Sequence, residues 1–255
     1  MQSNVLLRSL LPLFLASFSL GCDTTPTDTG EEGDTGEEGD TGEDGDTGED
    51  GDTGEEGDTG APTEHPCPDY FGYHPTDAAF TYDYKTDFGL SGTITRQLEA
   101  VDGAEVRVRE HELSTWRGGD TESHSRLWTY QCDGVGVSLV SMESSGESTY
   151  DGEAIPQTYE LRYDPPALLI PADLAVGSEW STVYKGTETY NGERMRVDDR
   201  YDWVAVEETT VTVPAGEFAV LFVDGEGNGE DLTGDLWLER SVGLVRSQYE
   251  RLASY

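Results

Sequence analysis

The side chains best placed for chemistry gather around one candidate hairpin. His111, Glu122 and His124 flank the dipeptide Gly118-Gly119. A two-residue loop there sets His124 opposite Leu113 and His111 opposite Arg126. The two imidazoles then become diagonal neighbours on one sheet face, with Glu122 beside them. Two imidazoles and a carboxylate could hold a divalent metal. In that register Arg109 and Arg126 project from the same face and repel a cation. The expectation is therefore a polar, solvent-facing hairpin with no metal. His65 and His74 flank Cys67 in a Pro-rich stretch and read as surface residues.

Other chemistry finds little support. No GxSxG nucleophile elbow, P-loop, GxGxxG cradle or Cys-x-x-Cys pair occurs. The run Gly225-Glu226-Gly227-Asn228-Gly229 is Gly-rich but acidic, and it reads as a loop. Asp198-Asp199 and Glu207-Glu208 are adjacent within strand-like runs, so each pair points to opposite faces. The chain reads as non-enzymatic, with no cofactor. A hydrolase using acidic residues or a His-based metal is the alternative.

Three cysteines remain to be placed. Cys67 and Cys132 form an even pair in what reads as an exported chain, which suggests a disulfide. Two unpaired thiols are the alternative. Cys22 follows an apolar run, Leu10 to Leu20, of 11 residues behind Arg8. That run is too short to span a bilayer as a helix and reads as a secretory signal. Ser19-Leu20-Gly21-Cys22 resembles the lipobox of bacterial lipoproteins, although Ser19 departs from the usual Leu. The resemblance implies a diacylated Cys22 as the first mature residue. An ordinary cleaved signal is the alternative. Acyl chains would supply a stable membrane anchor.

The chain has 255 residues with 53 acidic and 15 basic side chains, a net charge of −38. That balance excludes a nucleic-acid partner. Residues 23–64 hold 18 acidic and no basic side chains, arranged as DTGEEG and DTGEDG hexapeptides. With almost nothing apolar to bury, this stretch is expected to be a disordered tether. Weak Ca²⁺ association along it is an alternative role, since its spacing matches no known calcium loop. Acidic stretches behind a lipidated cysteine resemble surface-export signals, whereas Asp23 resembles an inner-membrane retention signal. The expected address is the bacterial cell envelope, at the outer membrane or surface rather than the inner membrane.

Only residues 65–255 can bury a core. Apolar and polar residues alternate through 78–252, as in Met195, Val197, Tyr201, Trp203 and Ala205 against Arg194, Arg196, Asp198, Arg200 and Asp202. Asp102-Gly103, Asp133-Gly134, Asn191-Gly192 and Val213-Pro214-Ala215-Gly216 punctuate these runs as turns. At most a short helical turn fits around 167–175. The expectation is a single all-β domain of about nine or ten antiparallel meander strands. So many strands must curl into a curved sheet, half-barrel or barrel.

Leu174-Ala175-Val176-Gly177-Ser178-Glu179-Trp180, Val211-Thr212-Val213-Pro214-Ala215-Gly216-Glu217-Phe218, Leu236-Trp237-Leu238 and Val242-Gly243-Leu244-Val245-Arg246 form a spaced pattern. It resembles a "VGxxW…VxVPAGxF…W…VGLV" pattern of uncharacterised bacterial envelope lipoproteins. Those are similar to curved-sheet envelope proteins, some of which carry lipids or lipoproteins in a half-barrel. The resemblance implies a fold and transfers no catalytic residue. Residues 65–255 hold 23 aromatic side chains. A few of them could line an apolar ligand pocket. Trp116, Trp128, Trp180, Trp203 and Trp237 are the candidate lining residues, with Tyr130 and Tyr201 beside them. The expected partners are a membrane, through the lipid, and an apolar small molecule or an envelope protein.

Overall fold

The computed structural model describes residues 67–72, 79–227 and 233–255. The signal segment 1–22 with Cys22, the tether 23–64, and both His65 and His74 lie outside the described residues.

Every regular element among the described residues is a strand. In order these are β1 (Ala79–Lys85), β2 (Leu90–Asp102), β3 (Glu105–Trp116), β4 (Thr121–Cys132), β5 (Gly136–Tyr150) and β6 (Glu153–Pro171). Then follow β7 (Glu179–Tyr190), β8 (Glu193–Val213), β9 (Gly216–Gly227), β10 (Thr233–Glu239), β11 (Gly243–Ser247) and β12 (Glu250–Ser254). Each strand pairs with its neighbour in sequence, and β1 pairs with β12, closing an antiparallel barrel. Closure removes both free edges of the sheet.

The period-two pattern decides which residues enter the core. On β8, Val197, Tyr201, Trp203 and Ala205 are buried, while Arg196, Asp198, Arg200 and Asp202 are exposed. Exposed ion pairs bind the outer face: Arg109 to Glu99 at 2.6 Å, Arg162 to Glu160 at 2.5 Å and Arg200 to Asp202 at 2.7 Å. Each Arg or Lys on these outer faces would cost about 2–4 kcal/mol at the midplane of a bilayer, and each Asp or Glu less. This exterior is suited to water.

Twelve strands form where nine or ten were expected. The difference lies at the C-terminal side, where β11 and β12 span only five residues each. The β11–β12 connection lacks the Gly or Pro that marks a turn in sequence. The helical turn expected near 167–175 is also absent: β6 runs as strand to Pro171. Pro165 and Pro166 have no N–H to give a ladder. They fall where the β5 register jumps from Ser141↔Arg162 to Leu139↔Ala167. On its other edge β6 pairs with β7 only from Tyr159 to Tyr163. Side chains of β7 replace the missing rungs. Thr182 Oγ1 donates to the Leu168 carbonyl at 2.5 Å, and Trp180 Nε1 to the Leu169 carbonyl at 3.0 Å.

A meander sends alternate connections to opposite ends of the barrel, and the two ends differ. At one end Cys67 is disulfide-bonded to Cys132, with Cα atoms 4.7 Å apart. The Tyr70 amide donates to the Arg240 carbonyl at 3.0 Å, and Phe71 packs edge-on against Tyr130 at 5.0 Å. Gly72, at φ +78°, runs so close that a Cβ would fall 1.9 Å from the Val242 carbonyl oxygen. From the other side, the Ala215 amide at the β8–β9 tip donates to the Leu252 carbonyl on β12 at 3.1 Å. We call this the sealed end. The opposite end, carrying the β3–β4, β5–β6 and β7–β8 turns, is the mouth.

Candidate functional site

The barrel interior changes character along its axis. Toward the sealed end and through the middle it is apolar and aromatic. Trp128, Tyr130, Met142, Leu161 and Trp203 are each at most 2% exposed. Trp203 stacks on Tyr201 at 5.8 Å and on Trp180 at 6.2 Å. Its Nε1 donates to Thr182 Oγ1 at 3.0 Å. Gly225 and Gly234 leave room for this indole: a Cβ on Gly225 would lie 2.2 Å from the Trp203 ring.

Toward the mouth the same inward-facing positions turn polar. The inner residues of β3 run Val106, Val108, Glu110, Glu112, Ser114, all buried. Those of β4 run Cys132, Tyr130, Trp128, Arg126, His124, Glu122. Pairing sets Glu112 opposite His124, Glu110 opposite Arg126 and Ser114 opposite Glu122.

This register differs by one residue from the two-residue loop read from sequence. The Trp116 amide donates to the Asp120 carbonyl at 2.8 Å, and the Gly119 amide to the Trp116 carbonyl at 2.8 Å. Gly119 takes φ +97°. The loop is thus three residues, 117–119, a type I turn closed by a left-handed glycine. A one-residue slip exchanges the faces of a strand. His111 therefore faces outward and is exposed, opposite Ser125, while His124 faces inward and is 8% exposed. Arg109 also faces outward, bound to Glu99. The His111–His124–Glu122 constellation does not assemble.

What assembles instead is a chain of charges across the interior. Arg96 on β2 donates through Nε to Glu110 at 2.8 Å, and through both terminal nitrogens to Glu250 at 3.0 Å. Arg126 donates to Glu110 at 2.6 Å and also to Glu112. Tyr84 donates its hydroxyl to Glu112 at 2.5 Å. Arg96, Glu110, Glu112 and Glu250 are each 2% exposed or less. Burial pushes both Glu110 and Glu250 up, but the outcomes diverge. Two guanidinium partners hold Glu110 below its ordinary value. Glu250 has only Arg96, which does not offset burial, and its carboxyl lies above the ordinary value. Burial works against the Arg126 charge, yet Glu112 and Glu110 outweigh it and raise its pKa.

Nearer the rim, Glu122 accepts a bond from Trp116 Nε1 at 2.9 Å. Burial raises its carboxyl above the ordinary value; the indole bond opposes this and the nearby Glu112 charge adds to it. His124 is pushed below its ordinary value by burial and then by Arg126, with Glu112 opposing. His124 lies across Gly146 of β5, where a Cβ would fall 2.5 Å from Nδ1. Its Nε2 is buried without a hydrogen-bond partner. At the rim, Trp116 meets Phe88 at 5.9 Å, and Phe88 is 57% exposed.

A second polar group lines the β6–β7 wall. Glu188 and Tyr159 face inward together; burial raises the Glu188 carboxyl, with Tyr159 opposing. Among the described residues no group of three or more His, Cys, Asp or Glu is placed to hold a metal ion.

The five tryptophans do not share one groove. Trp180 and Trp203 meet in the wall near the sealed end, and Trp128 is enclosed in the interior. Trp116 stands at the mouth. Trp237 lies on the outer face, between Phe222 at 5.1 Å and the Arg246 guanidinium at 4.5 Å. Sequence reasoning missed Arg96, Glu110, Glu112 and Glu250. The signal was present on β3, where Glu110 and Glu112 continue the parity of Val106 and Val108. Compared with known proteins, the chain matches no family model, no curated protein and no solved structure.

Proposed function

We propose that the protein is a non-enzymatic binding module, held in the bacterial cell envelope by a lipid on Cys22 and the acidic segment that follows it. Its barrel takes a small ligand at the mouth. One observation carries this reading: the interior is sealed and packed at one end, and at the other it presents a buried, unpartnered His124 beside Glu122. Buried polar atoms without partners are rare in folded proteins, and a water, an ion or a ligand can complete their bonding. The polar floor and the Trp116–Phe88 rim favour an amphipathic ligand over the wholly apolar one expected from the tryptophan content. The anchor, the tether and the envelope address rest on the sequence of residues 1–64.

The hydrolase alternative needs a second carboxylate free to act beside Glu122. Glu112 is engaged by Arg126 and Tyr84, so the geometry favours binding.

Thermal unfolding of the full-length chain against a panel of small amines, sugars and fatty acids tests the reading. At least one class should raise Tm in a concentration-dependent manner, and Trp116→Ala should abolish that rise. A panel in which no class moves Tm sinks it. Mass spectrometry of the mature amino terminus tests the lipid on Cys22 separately.

A further inference from the structure

We propose that the mouth binds a small alkylammonium ion, whose N–H groups bond Glu122 and the unpartnered His124 Nε2 while its alkyl chain lies on Trp116. This deepens the reading of the mouth as a binding site and rests on it.

The argument starts from what each group still lacks. Arg126 faces the mouth, but it donates to Glu110 and Glu112 and has no role left for an anion. The Arg96–Arg126–Glu110–Glu112–Glu250 network carries three carboxylates and two guanidiniums. Glu122 adds a further carboxylate, bonded to the Trp116 indole and facing the Arg126 charge without a salt bridge to it. The inner face at the mouth thus carries more carboxylates than guanidiniums, while Arg117 stands outside it in the β3–β4 turn, against Gly89. The wider surface agrees: residues 65–255 hold 35 acidic and 14 basic side chains. Such a field concentrates cations in a low-dielectric cleft.

The kind of cation follows from the donors. An inorganic divalent ion needs several oxygen or nitrogen ligands converging at about 2–2.5 Å. Among the described residues no such cluster exists. An ammonium asks for separate acceptors at ordinary hydrogen-bond lengths. Glu122 and His124 sit two residues apart on the inner face of β4, roughly 7 Å along the strand. Burial disfavours the charged His124 ring, and a neutral ring with its proton on Nδ1 presents an acceptor lone pair at the unpartnered Nε2. Trp116, fixed by its bond to Glu122, adds an aromatic face of the kind that attracts organic cations. More than nine-tenths of His124 is buried, so leaving Nε2 bare has a cost that a ligand N–H would remove.

The test uses the full-length chain with isotope-labelled histidine, titrated with 1,4-diaminobutane. The neutral isostere 1,4-butanediol and potassium chloride serve as controls. His124→Gln assigns the His124 signal by its loss. The expected result is a saturable shift of the His124 Nε2 resonance with the diamine alone. Glu122→Gln should weaken that shift at least ten-fold. Two results overturn the inference. One is diamine uptake that leaves the His124 resonance unmoved and is equal in Glu122→Gln, which assigns the binding to the acidic tether. The other is an equal His124 shift with butanediol. That second result removes the ammonium while leaving the mouth as a binding site, so it separates this inference from the reading beneath it.

Discussion

At the scale of single residues, the interior charges separate by how fully each is paired. Arg96 is enclosed between Glu110 and Glu250, with side-chain exposures of 1–2%. Arg96→Ala leaves Glu250 buried without a cation and Glu110 with Arg126 alone. Truncating one partner of a buried pair costs about 3–5 kcal/mol. The midpoint of urea unfolding should fall accordingly. The exposed Arg109–Glu99 pair supplies the contrast: Arg109→Ala should cost at most about 1 kcal/mol. Glu122 behaves in the opposite sense. Its folded carboxyl titrates above the ordinary value, so the folded state holds this proton to higher pH than the unfolded chain does. That contribution to stability is present at low pH and is lost as pH rises through the raised value. Glu112 of β3 and Arg126 and His124 of β4 face it, and Trp116 at the end of β3 bonds it. Glu122→Gln should therefore melt higher than the native protein at pH 7.5, by about 2–4 °C for each kcal/mol gained. The gap should close by pH 4; a gap that widens toward acid contradicts the assignment.

At the scale of elements, the β3–β4 hairpin decides what the mouth contains. The same residues in a two-residue loop would put His111 and His124 on one face. The three-residue loop closed by Gly119 turns His111 to solvent and brings Glu110 and Glu112 inside. Gly146 on β5 then gives His124 its place. A Cβ there would lie 2.1 Å from the Ser123 carbonyl oxygen and 2.5 Å from the His124 ring. Gly146→Ala should cost about 1–3 kcal/mol through overpacking. It should also move the His124 resonance before any ligand is added, which histidine-labelled spectra would read directly.

At the scale of the whole molecule, closure gives the barrel two unlike ends. The Cys67–Cys132 bridge ties the segment 67–72 across one of them. A link over 65 residues is worth roughly 4 kcal/mol in the chain-entropy description. Reduction should lower Tm sharply while leaving the far-ultraviolet strand signal intact at low temperature. A Tm indifferent to reductant would mean that packing of Phe71 and Tyr70 holds this end alone.

Some of this was legible in the residues themselves. Alternation on β8, the turn dipeptides and the cleavage of the chain into apolar, acidic and mixed stretches specify an all-β domain, because strand faces follow a period of two whatever their neighbours do. Asn191-Gly192 announces a turn through local φ preference alone, and the structure uses it as a two-residue loop, whereas at Asp102-Gly103 the loop falls one residue later, on Gly103-Ala104. Register and closure belong to the tertiary structure. Nothing local distinguishes a loop of two residues at Gly118-Gly119 from one of three, yet that single residue decides whether β3 sends histidine or glutamate into the interior. The pairing of β1 with β12 joins strands about 170 positions apart. Only once that seam is closed does Glu250 reach Arg96, and only then does the barrel have an inside in which a bare histidine nitrogen has meaning.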